Sequence, residues 1–82
     1  MSDRLTLEID ANYDYFARNL SKFLVDHKGQ YALLRDCVVV RFFEKPGMAY
    51  RFGKAEFADG VFSIQEVTEE PVDLGFFSHV AN

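Results

Sequence analysis

The stretch Gln30 to Phe43, QYALLRDCVVVRFF, constrains the fold of this chain more than any other. Two runs rich in β-branched and aromatic residues, Tyr31 to Leu34 and Cys37 to Phe43, flank Arg35-Asp36. A two-residue connection makes the runs antiparallel neighbours in a hairpin. A type I′ turn needs positive φ at both central residues, which Asp36 tolerates and Arg35 resists. Alternation places Val38, Val40 and Phe42 on one face and Val39, Arg41 and Phe43 on the other. Neither face is cleanly polar, so both are expected to meet other parts of the protein, or the second to be only partly wet.

The flanking segments supply the rest of an α+β domain. Leu5, Leu7 and Ile9 alternate with polar residues, which suggests a short N-terminal strand or extended arm. Asp10 or Asn12 is placed to cap a helix. Its continuous face is Tyr13, Phe16, Ala17, Leu20, Phe23 and Leu24, and Asp14, Arg18 and Lys22 line the outside. His27 and Lys28 suit the negative end of the helix dipole, and Gly29 is the expected left-handed C′ residue. After the hairpin, Pro46 opens a second helix in which Ala49, Gly53 and Phe57 share a side with Phe52. Asp59-Gly60 ends it, and Val61 to Val67 reads as a third strand. The helical crossover makes that strand parallel to the second and antiparallel to the first. The expected architecture is a two-layer α-β-β-α-β domain with a small antiparallel sheet of order 2-1-3. Both helices pack on one face, and an extra N- or C-terminal strand is possible. The domain spans residues 1–71, and 72–82 form an apolar C-terminal tail.

Length and composition narrow the class. With 82 residues there is room for one core. Nine Phe and four Tyr are a heavy apolar load for that length, which favours an oligomer or a complex. One cysteine excludes an intrachain disulfide and a thiolate metal site. Met1-Ser2-Asp3 lacks the basic start of a secretory signal, and no apolar run is long enough to span a membrane, so the cytoplasm is the expected compartment. The net charge of −4 is uneven. Residues 17–54 carry eight bases against three acids, whereas 55–82 carry six acids and no Lys or Arg. Acidic ends around a basic middle disfavour nucleic acid as the main partner.

No motif requires catalysis. His27 is explained by the helix dipole. Ser78 and His79 are sequence neighbours that point to opposite sides of an extended segment and cannot share a proton. Two histidines with scattered acids lack metal-ligand spacing, so no cofactor is expected. Cys37 reads as a small buried hydrophobe. Arg41, Lys45, Arg51 and Lys54, interleaved with aromatics, are the residues that would suit single-stranded nucleic acid. The tail VDLGFFSHV is the unusual feature, because a free tail is ordinarily polar. It can fold back as a strand, dock on another copy, or be read by a different protein through Leu74, Phe76, Phe77 and His79.

The order of pieces resembles a group of short bacterial proteins of uncharacterised function. The shared pattern is an amphipathic helix ending in Gly29-Gln30-Tyr31, a hairpin ending in Phe42-Phe43, a helix with Ala49, Gly53 and Phe57 four residues apart, and a strand Phe62-Ser63-Ile64-Gln65. Some members also end like Phe77-Ser78-His79-Val80. The resemblance covers residues 13–80 and departs at the hairpin turn, where relatives often carry Gly. It carries no established activity. Relatives look like companions of a separately encoded retroviral-type aspartic protease, which implies a small protein that partners or restrains a protease. The Leu74-Gly75-Phe76-Phe77 segment is the extended apolar peptide such a cleft accepts. The expected function is therefore a non-catalytic protein-interaction module using the tail and an open sheet edge. The alternative is a small nucleic-acid-associated regulator using the basic middle.

Overall fold

Both faces of the central sheet are apolar, and each is covered by its own helical layer. The structure, a computed structural model, describes residues 4–69. In chain order these form α1 (Arg4–Arg18), α2 (Leu20–His27), β1 (Tyr31–Arg35), β2 (Val38–Phe43), α3 (Pro46–Glu56) and β3 (Ser63–Glu66). The sheet is antiparallel throughout, in the order β2-β1-β3. The α+β class and the strand order therefore agree with expectation.

The layering does not. Leu33, Phe43, Phe62 and Ile64 pack with Ala49 of α3 on one face. Ala32, Leu34 and Val67 pack with Phe16 of α1, and with Leu20, Phe23 and Leu24 of α2, on the other. The helices thus sandwich the sheet instead of sharing one face. The physical reason lies in β1, where Ala32, Leu33 and Leu34 are all fully buried. Consecutive buried residues point to opposite sides, so a two-layer arrangement would leave one of them wet.

The N-terminal segment is helical, not a strand. Leu5, Ile9, Asn12 and Phe16 recur at i, i+4, i+7 and i+11, the stripe of an α-helix, and Leu7 between them is 58% exposed. Of the alternating Leu5, Leu7 and Ile9, only Leu5 and Ile9, four apart, share a helical face. The first helix is also broken. At Asn19 the chain leaves helical geometry (φ −109°, ψ 11°), and the side chain donates to the Tyr15 carbonyl at 2.9 Å. Competition of that kind from an Asn side chain ends α1 and starts α2. Asp14 pairs with Arg18 outside, as its spacing implies, but Ala17 is exposed and is not part of the packed face.

The hairpin turn sits one residue later than expected. Asp36 and Cys37 are the left-handed pair, with φ of 55° and 61°, and Arg35 is the last residue of β1. A register shift opposite Leu33/Leu34 leaves Val40 without a partner, since Leu33 faces Arg41 and Leu34 faces Val39. This bulge resets the alternation of β2. Val39 and Phe42, expected on opposite faces, both pack against the α1–α2 side.

Helix α3 lies close to the sheet because of Gly53. A Cβ at that position would stand 2.7 Å from two atoms of the Phe62 ring, which is fully buried. Gly53→Ala gains about 1 kcal/mol of helix propensity. It loses about 1–3 kcal/mol by overpacking against a ring with nowhere to move. The expected outcome in urea unfolding is a net destabilisation of about 1 kcal/mol, relieved when Phe62→Leu is added. A gain in stability from Gly53→Ala alone would contradict this packing.

Candidate interaction surface

Two polar clusters anchor the turn end of the hairpin. The first is centred on Asn12, fully buried in α1. Its Nδ2 lies within reach of Ser63 Oγ at 3.0 Å, Glu8 Oε2 at 3.1 Å and the Leu34 carbonyl at 3.3 Å. Its Oδ1 accepts the Cys37 backbone N–H at 2.7 Å, and Glu8 accepts the Asp36 N–H at 2.7 Å. Helix α1 therefore holds both amides of the left-handed turn. Asn12 was expected as a helix cap and is instead the bond between three elements. The signal was available: an Asn on the stripe Leu5–Ile9–Asn12–Phe16 must be buried, and a buried amide needs partners.

The second cluster is centred on Arg35. Its guanidinium meets Asp59 through two bonds of 2.7 and 3.1 Å and donates to the Val61 carbonyl at 3.1 Å. It also lies 4.5 Å from the centre of the Phe57 ring. This ties the end of β1 to the loop between α3 and β3. The hydrogen bond from Arg35, then the Val61 N–H, then the charges of Arg35 and Arg4, lower the Asp59 carboxyl to about 2 from an ordinary 3.8. A lowered folded-state value means that the stabilisation is complete above the ordinary value and is lost as pH falls from about 4 towards about 2. In Arg35→Met the Asp59 carboxyl should titrate by NMR above about 2, part of the way back towards its ordinary value, with the Val61 N–H and Arg4 still holding it down; an unchanged titration would contradict the assignment.

Cys37, expected to be buried, is exposed on the turn. Its thiol lies 3.6 Å from the Ala11 carbonyl. His27 stacks flat on Phe42, with ring centres 3.6 Å apart and planes at 4°, and its Nδ1 is 2.8 Å from Gln30 Oε1. Gln30 donates in turn to Glu44 at 2.7 Å. Among the described residues no group of His, Cys, Asp and Glu could hold a metal ion. No described helix is long and apolar enough to cross a membrane.

The two sheet edges differ. β3 is buried at Ser63, Ile64 and Gln65, whereas β2 exposes Val38 (54%) and Val40 (41%). Among the described residues no strand pairs with the outer side of β2. Near its end Arg41 reaches over Phe43 and Phe52, at 5.5 and 5.4 Å from the ring centres. Lys45 precedes α3, and Arg51 and Lys54 lie on it, so the four basic residues singled out in the sequence are on or against this one helix. All four are exposed, and none has an acidic partner among the described residues. Leu74, Phe76, Phe77 and His79 lie outside the described residues, as does the rest of the tail. No family model matches the chain, and comparison with curated proteins and with solved structures gives no match.

Proposed function

We propose that the chain is a non-catalytic protein-interaction module. It binds through the outer edge of β2 and through the tail residues Leu74, Phe76, Phe77 and His79, and its partner is another protein or a second copy. The observation that carries this reading is the edge itself: a strand with exposed Val38 and Val40 whose outer side no described strand occupies. Such an edge offers backbone donors and acceptors for an added strand, with apolar side chains beside them. The bulge at Val40 interrupts the ladder and favours one docked segment over open-ended growth. The resemblance to protease companions makes a separately encoded retroviral-type aspartic protease the partner to test first. A small nucleic-acid-associated regulator is the second reading, and the exposed Arg41, Lys45, Arg51 and Lys54, without an acidic partner among the described residues, favour it.

The test is affinity capture from the native host with three full-length baits: wild type, Val38→Lys/Val40→Lys, and Phe76→Ser/Phe77→Ser. The substituted valines are exposed, so folding should survive. A protein retained in stoichiometric amount by wild type, and lost by the edge variant or the tail variant, supports the module. Equal recovery by all three baits, with no change in solution mass among them, counts against it.

A further inference from the structure

We infer that the basic outer face of α3 is a docking site for this chain's own C-terminal segment, residues 70–80, held in cis. The two surfaces are complementary. The site presents exposed Arg41, Lys45, Arg51 and Lys54, none with an acidic partner among the described residues. Beside them are Met48, 44% exposed, and the half-buried Phe52. The acids nearest in sequence are Glu44, already engaged by Gln30, and Glu56 in the last turn of α3. The segment supplies Glu70 and Asp73, then Leu74, Phe76 and Phe77, within a stretch from residue 55 onward that has six acids and no Lys or Arg. Carboxylates would meet the cations, and aromatic rings would cover Met48 and the Arg41–Phe52 stack.

The chain leaves the described fold at the right place. Tyr31 pairs with Phe43 at the end of β2 and with Glu66 at the end of β3, so both strands finish on one rim of the sheet. Helix α3 starts from that rim at Pro46, and Glu69 lies at the same rim on its α2 side, bonded to Lys28 at 3.1 Å, so the segment has to pass around the rim to reach α3. The thirteen residues 70–82 can extend about 43 Å. The eleven residues of α3 span only about 16 Å. A short tether also gives the segment a local concentration that a second copy reaches only in concentrated solution. Docking in cis would keep Phe76 and Phe77 off other surfaces until a partner displaces them. The contact itself stands whether or not such a partner exists.

The experiment is amide hydrogen exchange, read by mass spectrometry on the full chain, at low salt and at two protein concentrations. Wild type should show residues 72–80 exchanging roughly tenfold or more slowly than a free peptide of the same sequence. Arg51→Glu/Lys54→Glu should lose that protection, and adding Glu70→Lys/Asp73→Lys should restore it. Both basic side chains are exposed, and unchanged exchange in β1 would show that the fold is intact. Free-peptide exchange in wild type overturns the inference. So does protection indifferent to the charge reversals, or protection that grows with concentration and so reports a second copy. A single-stranded oligonucleotide bound by wild type, lost in Arg51→Glu/Lys54→Glu while tail exchange stays unchanged, assigns the face to nucleic acid and also overturns it.

Discussion

Asn12→Ala is expected to destabilise the fold by about 2–4 kcal/mol, a large share of what a domain of this size has to lose. A typical intramolecular hydrogen bond contributes about 1 kcal/mol net, but a buried group left without a partner costs about 1–3 kcal/mol. Alanine at 12 strands the Cys37 N–H and removes a donor from the Leu34 carbonyl and Ser63. The stranded amide belongs to a left-handed residue other than Gly or Asn, and its hydrogen bond to helix α1 helps hold that geometry. The small propensity gain of Ala in a helix does not offset this. Urea unfolding checks it. A loss below about 1 kcal/mol would mean that water replaces Asn12 at little cost, and that the turn does not depend on α1.

The opposite result is expected at Gln65. This side chain is fully buried on β3, and neither its Oε1 nor its Nε2 has a hydrogen-bond partner among the described residues. It faces the same layer as Ser63, beside Ala32. Gln65→Leu keeps most of the volume and removes a desolvated amide, so stability should rise by about 1–3 kcal/mol. The two amides, Asn12 and Gln65, are equally buried, and only their hydrogen bonding differs. If Gln65→Leu instead destabilises the protein, Gln65 has a partner that residues 4–69 do not supply.

The hairpin strands, α3 and the close approach that its small residues allow to the sheet are legible in the sequence because each rests on a local rule. β-branched runs form strands, Pro opens a helix, and a small residue allows close packing. What was not legible depended on the third dimension. The triple Ala32-Leu33-Leu34 says that both faces of the sheet are covered, yet nothing in the spacing of α1 and α3 says which face each takes. The bulge at Val40 leaves no mark on a run of three valines, and simple alternation puts Val39 and Phe42 on opposite faces. Leu5 and Ile9 fit both periods while Leu7 fits only the strand, and the burial of Asn12 against Leu34 and Ser63 decides for the helix. Of the candidate site, the basic quartet was legible by composition, and the exposed β2 edge was not, because strand order alone does not reveal which edge is buried.

In the proposed module β2 offers its outer edge to another chain. The most direct test is amide exchange across Val38–Phe43 in the free protein and in its captured complex, or at increasing concentration if the protein pairs with itself. The expected result is fast exchange of the outward-facing β2 amides in the free protein and strong protection on binding, with α1 and α2 unchanged. A bound partner that leaves β2 exchange untouched, or protects the α1–α2 face instead, would contradict it.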